Sequence, residues 1–461
     1  MTKSVGSPQS RVRIGLVSLL ATAQLLGCAL AQGPSTEDKA RAALPGSTAI
    51  AGEWTTPEWD TGEVDDGWIA TFRDRQLDAL VDEAIANNLN LRVAGARVDR
   101  AEGLVQLAQA GLQPVVGVGA ETAQMGGPDM IGARTNQGGL AVAWEADVWG
   151  RIRAGIDAAE QGLAAARADY QGARLSLAAQ TAKAWFLAQE LRMQLRLAQQ
   201  QVNVLTEITS VVRKNFQVGR VARADVNLAE ADLAGAENAL RQAKVAETQT
   251  VRLLELLLGR YPAASLEAST RQVAVPPRIP AGMPSELLER RPDLVAAERR
   301  VAAAFRLEEQ ARLAQLPRFT FSGGLGGSTA LAGVVGNFLG GVAVPIYAPA
   351  LQAQIAIATA DQQAALAGYG QAVLRSLEEV ETALFNDHIF AEREQFLRAQ
   401  VDGNRKALEI HRKQLEVGMI NALPVLQVQA RFVGSQVLLT RIRNERLAQR
   451  VDLHLALGGS F

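Results

Sequence analysis

Two hydrophobic patterns alternate along the chain, and each occurs twice. Over 91–114 the apolar positions recur at helical spacing and stop at a proline, and 294–317 repeats that pattern at the same length. Proline stops a helix because it has no N–H for the next hydrogen bond. After each proline the period changes to two. Pro114-Val115-Val116-Gly117-Val118-Gly119-Ala120 opens one alternating stretch, and Pro317-Arg318-Phe319-Thr320-Phe321-Ser322 opens the other. A further alternating stretch follows in each half. Leu140, Val142 and Trp144 share one face, Val342, Val344 and Ile346 hold the equivalent places, and small Ala141, Ala143 and Ala343 lie between. Period two predicts strands, and at about 9–11 residues they suit tilted membrane strands. The Gly-rich stretches 126–137 and 328–336 predict the loops of two hairpins.

Proline-free stretches follow, 151–216 and 351–415. As helices each would run close to 100 Å at about 1.5 Å per residue. Leu191, Leu195, Ala198, Val202, Leu205, Thr209, Val212 and Phe216 fall at alternating spacings of four and three. Phe390, Glu394, Leu397, Val401, Asn404, Leu408, His411 and Leu415 repeat the series. A sustained 3.5-residue repeat is a coiled-coil seam. Each series ends at a glycine, Gly219 or Gly418, which suits a left-handed residue just past a helix end. Returning helices follow over 225–258 and 424–457. The halves are thus two copies of one unit, offset by roughly 200 residues.

The expected division is 1–27 signal peptide, 28–74 extended leader, 75–258 first repeat, 259–286 Pro-rich linker and 287–458 second repeat. The β-hairpins occupy 114–148 and 317–347, and the turns fall at 219 and 418. The linker carries Pro262, Pro276, Pro277, Pro280 and Pro284 and is expected to lie against the outside of a helical tube. The fold class expected is mixed, an all-α helical barrel joined to a transmembrane β-barrel, with two internal repeats per chain. Four strands per chain cannot close a barrel, since the smallest membrane barrels have about eight. Oligomerisation follows, and a homotrimer gives a shared 12-stranded barrel above a coiled-coil tunnel.

Composition narrows the choice. The 47 basic and 48 acidic residues give a net charge of −1, with no basic excess for nucleic acid. Aromatics at 5% with abundant Ala and Gly suit thin, closely packed helices. Three His and one Cys nearly exclude a Cys/His metal cage and exclude an intramolecular disulfide. No cofactor is expected. There is no phosphate loop after a strand, no GxSxG elbow and no paired His on a helix face. Lys3, Arg11 and Arg13 precede an apolar stretch at 14–26, too short to span a bilayer and suited to a secretory signal. No run of 18 apolar residues occurs elsewhere, so a spanning structure is expected to be a closed barrel.

Two resemblances sharpen this reading. Leu25-Leu26-Gly27-Cys28 resembles a bacterial lipobox, which implies lipid attachment at Cys28. Ala29 in place of Asp implies sorting to the outer membrane under the enterobacterial rule. The segment Met283-Pro284-Ser285-Glu286-Leu287-Leu288-Glu289-Arg290-Arg291-Pro292-Asp293-Leu294, with Ala297-Glu298, resembles a signature of the outer membrane factor family. These are TolC-like ducts of tripartite efflux systems, here most similar to the NodT-type lipoproteins. Trp144-Glu145-Ala146-Asp147-Val148-Trp149-Gly150-Arg151-Ile152-Arg153 resembles the family's strand-to-helix corner. Phe216-Gln217-Val218-Gly219 with Asp225, and Leu455-Ala456-Leu457-Gly458-Gly459, match as well.

The resemblance covers almost all of the mature chain. It implies a passive exit duct, without catalysis, of an RND-type system exporting drugs, metals or other small molecules. The implied partners are two further copies, a periplasmic adaptor (membrane fusion protein), an inner-membrane pump and outer-membrane lipid. Departures exist: Ala348-Pro349-Ala350 replaces an Asp-Gly-Gly corner, Ala222 replaces a capping Ser, and Met419-Ile420 stands where some relatives carry an acidic gate residue.

Closure at the periplasmic tip is expected to depend on side chains near Gly219 and Gly418: Arg220, Arg223, Asp225, Asn421 and Arg431, with Ile420 as an apolar constriction. Ordinary caps and solvated helix ends explain the same residues. Arg290 and Arg291 are expected to anchor a helix start by salt bridges, and Pro292 suits its first turn. Glu102, Glu298, His388, His411 and His454 are expected in structural roles. Three alternatives stay open: a type I protein-secretion duct, a lipid-anchored coiled-coil scaffold, and an enzyme on a lipidated stalk. Lipid-facing strands argue against the scaffold, and the lack of a catalytic constellation argues against the enzyme.

Overall fold

The computed structural model describes residues 41–459 apart from 47, 49, 53, 57–66, 128–129, 271 and 329–330, and only the backbone of 123–135, 137, 328, 331–333 and 335. Cys28 and the signal stretch lie outside the described residues.

The elements run α1 (Trp68–Thr71), α2 (Arg75–Asn87), α3 (Leu89–Ala110), β1 (Val115–Gly127), β2 (Met130–Ala146), α4 (Arg151–Gln217) and α5 (Arg223–Leu257). The second half runs α6 (Leu287–Arg290), α7 (Pro292–Leu313), β3 (Arg318–Ser328), β4 (Leu331–Ala343), α8 (Pro349–Glu416) and α9 (Ala422–Ala456). The long helices have 67 and 68 residues and both returning helices have 35. Among the described residues no helix is long and apolar enough to cross a membrane.

The strands form one antiparallel meander in the order β1-β2-β3-β4. The expected loop boundaries need correction. Much of 126–137 and 328–336 is strand, and the four strands have 13, 17, 11 and 13 residues. Glycine reads as a breaker in sequence, but a ladder is built from main-chain groups that glycine supplies. Here the lack of a side chain is a requirement. A Cβ on Gly326 would stand 2.6 Å from the Gly138 carbonyl oxygen, and one on Gly139 would run into Leu325 and Gly326. The other correction is at β4, which ends at Ala343, so Val344 and Ile346 lie beyond it. Pro345, with no N–H to donate, marks the end of the ladder.

The two strand-to-helix corners begin their helices differently. At α4 the Asp147 carboxylate accepts from Ile152 N at 2.9 Å and Arg153 N at 3.0 Å. At α8 no side chain caps the helix, and Pro349 occupies the first turn, where a missing N–H costs nothing.

Three clusters hold the layers together. Trp68, Leu77, Trp185, Phe186 and Leu447 pack α1 and α2 onto α4 and α9. Leu294, Tyr369, Leu384, Leu453 and Leu457 join α7, α8 and α9. A third cluster, at the far ends of the long helices, gathers Leu205, Ile208, Val212, Val226, Leu408 and Val425 from both repeats. Leader and linker strap one face of this helical layer. Trp54 Nε1 donates to the Gly282 carbonyl at 3.0 Å, and Arg450 Nη1 to the Pro277 carbonyl at 3.1 Å. The expected anchor forms at Arg291, whose guanidinium grips Asp293 at 2.9 and 3.0 Å and Glu379 at 2.7 Å. Burial lowers its affinity for the proton, but the two carboxylates outweigh that and raise its pKa.

Candidate functional site

Register sorts the sheet into two unlike faces. Leu140 lies opposite both Val118 and Leu325, Trp144 opposite Phe321, and Phe338 opposite Gly323. Cross-strand partners share a face, so these side chains form one apolar surface. On it the rings of Trp144 and Phe321 stack at 5.8 Å and those of Phe321 and Phe338 at 6.3 Å. The opposite face presents Gly117, Gly119, Glu121, Ala141, Ala143, Glu145, Thr320, Ser322 and Asn337, and among the residues whose side chains are described its large apolar members are Val115 and Leu339.

The apolar face is bare: Val118 is 85% and Phe338 78% exposed. Leaving such a side chain in water forgoes about 1.5–3 kcal/mol of burial, so the face fits hydrocarbon. The small and polar face fits a water-filled lumen. The outer edges of β1 and β4 have no partner strand among the described residues. In hydrocarbon every unpaired main-chain group costs several kcal/mol, so each of these edges calls for a pairing strand.

At the other end of the molecule lie the two helix turns. Gly219 (φ 73°) and Gly418 (φ 76°) adopt the left-handed conformation. At the first, Gly219 N donates to the Phe216 carbonyl and Arg220 N to that of Asn215 at 3.0 and 2.8 Å. At the second, Gly418 N donates to Leu415 and Met419 N to Gln414 at 3.0 and 2.9 Å. These bonds satisfy carbonyls that a helix end leaves open. Asp225 turns back, and its Oδ2 accepts from Ala222 N at 3.0 Å. Ala222 itself caps nothing, so half of a capping box is present. Arg223 lies over the Phe216 ring at 5.6 Å. Arg220 is exposed. Ile420 is half-buried against the tip cluster. Asn421 stands at the start of α9 with no side-chain cap bond. Arg431 is exposed and farther up α9, roughly 15 Å from Asn421 at 1.5 Å per residue. The fold thus brings Gly219, Arg220, Arg223 and Asp225 to one turn and Gly418, Ile420 and Asn421 to the other, and leaves Arg431 apart.

Near the tip, a polar link between the repeats falls on other residues. Gln429, buried on α9, donates to Gln201 Oε1 on α4 at 3.0 Å and accepts from Arg412 at 2.9 Å. In the first repeat the corresponding pair is Arg213 with Glu230 at 2.9 Å. Arg213 and Arg412, and Glu230 and Gln429, are separated by the same offset as the two turn glycines. Comparing polar positions at that offset, beside the apolar ones, points to this pair. Among the described residues no group of three or more His, Cys, Asp and Glu is placed to hold a metal.

Comparisons agree with this geometry. The family model described as outer membrane efflux protein matches residues 80–260 and 283–459. The chain is 29% identical to the pyoverdine export outer membrane protein OpmQ of Pseudomonas putida, over 88% of this chain and 91% of that one. It is 27% identical to the cation efflux system protein CusC of Escherichia coli, over 85% and 88%. Among solved structures it resembles the outer-membrane channel OprN with a TM-score of 0.83 at 26% identity, covering 94% of this chain and 99% of that one. The open-state outer membrane channel MtrE of Neisseria gonorrhoeae aligns with a TM-score of 0.78 at 25% identity, covering 89% and 95%. A helical tunnel continued by a β-barrel is the fold of these channels and of this chain, which belongs to the outer membrane efflux protein family and is an efflux duct of the outer membrane.

Proposed function

We propose that the duct is a homotrimer in which three four-stranded sheets close one twelve-stranded barrel, and that it serves as the exit of a tripartite, RND-type system for small molecules. The observation that carries this is the sheet itself: one apolar face, one small and polar face, and two open edges. Closure by identical copies satisfies both edges at once, because β4 of one copy meets β1 of the next around a ring. The tip turns then lie at the periplasmic mouth, where an adaptor and an inner-membrane pump engage, and Arg220, Arg223, Asp225 and Ile420 line that mouth. Cys28, freed by removal of residues 1–27, carries the lipid that holds the leader at the outer membrane. Transport is passive, with no reaction catalysed. The names of relatives include pyoverdine, toluene and cation export, and this chain takes its cargo from the pump it pairs with.

Separating inner from outer membranes and crosslinking the outer fraction tests the reading. A trimer in the outer membrane, with lipid labelling lost in Cys28→Ala, is the expected result. A monomer in the inner membrane or periplasm would overturn it.

A further inference from the structure

On the strapped face of the helical layer, beside α2 and the linker, five guanidiniums line one cavity of about 980 Å³: Arg73, Arg75, Arg398, Arg443 and Arg446. Among the described residues only two carboxylates, Asp74 and Glu394, lie on the same wall. Both are already engaged. Asp74 caps α2 through Oδ1 and accepts from Trp185 Nε1 at 2.8 Å through Oδ2. Glu394, 2% exposed, accepts from Arg398 at 2.9 Å, Arg443 at 3.0 Å and Arg446.

A single carboxylate cannot use the donors of three guanidinium forks, each of which has five N–H groups. Arg446 Nε is buried with no partner. Arg73 and Arg75 are exposed, and their guanidiniums make no ion pair or hydrogen bond with a described residue. Arg73 also holds φ at 53°, an uncommon conformation for a side chain of its size. Among the described residues, five positive charges stand against two negative ones, and in a concave site they focus a field that attracts anions.

We propose that this cavity binds a small multivalent oxyanion, with Arg73 and Arg75 closing over a group held from behind by Arg443 and Arg446. Guanidinium forks match the paired oxygens of phosphate and carboxylate groups. Glu394 sets the three inner arginines in place. Those arginines outweigh its burial and keep it charged, so they stay spread around it rather than collapsing on the ligand. A lipid headgroup is the wrong source. Glu394 lies roughly 45 residues along α8 from the start of that helix, which is about 65–70 Å at 1.5 Å per residue. The ligand therefore comes from the aqueous phase around the helices.

The test is calorimetric titration of the full-length protein in detergent at low ionic strength, with inorganic pyrophosphate and separately with citrate. Saturable binding of at least one of them is expected. It should weaken at least tenfold in the surface double variant Arg73→Ser, Arg75→Ser, and fall as chloride is raised. Arg443→Gln provides a second variant at the back of the cavity, with a loss of similar size. No saturable binding of either anion, or affinity unchanged in the double variant, would overturn the proposal.

Discussion

Asp387 and Arg450 meet at 2.9 Å, 2% and 1% exposed, with one turn of α9 separating Arg450 from His454. Ion pairs removed this far from water gain little net stability as pairs, but cost a great deal when broken. Asp387→Asn leaves the Arg450 charge buried and should destabilise the protein by about 3–5 kcal/mol. Replacing both at once, Asp387→Leu with Arg450→Met, should recover most of that loss, as thermal unfolding of the detergent-solubilised protein will show. Equal losses in the single and double variants would contradict this.

His454 is stacked on Trp68 at 5.6 Å, and both its ring nitrogens lack partners. Burial, reinforced by Arg450, pushes its pKa from 6.5 down to about 4. The unfolded chain takes up this proton as pH falls through 6.5, whereas the folded chain does so only near 4. The stability held by neutral His454 is therefore complete above 6.5 and is lost between 6.5 and about 4, to a total of about 3 kcal/mol. His454→Phe should flatten the unfolding profile across that window. An unchanged slope would show that other groups govern it. None of this triad was legible in the sequence. Asp387, Arg450 and His454 sit in helices whose local pattern marks them as ordinary surface charges, and their burial comes from distant segments, the linker carbonyl of Pro277 against Arg450 and the Trp68 ring against His454.

At the scale of elements, legibility follows from how much of the pattern is repeated. The long helices were readable because the 3.5-residue seam runs unbroken to glycines that terminate it, and the structure ends those helices at Gln217 and Glu416, just before them. The strands were readable at their centres, where Leu140, Val142 and Trp144 alternate with alanine. Their far ends were not, because glycines that read as loops are pairing positions. Steric room at those glycines gives a sharp contrast. Gly326→Val should block β2–β3 pairing, since its Cβ meets the Gly138 carbonyl, and should abolish the folded, heat-modifiable species on mild gels. Gly117→Val, with open space around it, should preserve that species. Equal behaviour of the two would mean that the register is wrong. At the tip the apolar cluster followed from the seam, but the Gln429–Gln201 link did not, because nothing local shows which helix of the other repeat a glutamine will face.

At the scale of the molecule, two solvents shape one chain. The sheet turns its aromatic face outward because hydrocarbon accepts it, and the helices below bury a thin alanine-rich core because only water surrounds them. One strap of leader and linker binds the two repeats together at mid-height. In the proposed trimer the chain is incomplete by itself, since its outermost strands each offer a row of main-chain groups to a neighbour. Native mass spectrometry of the detergent-extracted protein tests this directly. A single species at three times the chain mass is expected. A stable, folded monomer retaining its strands would contradict the shared barrel, because four strands cannot close on themselves.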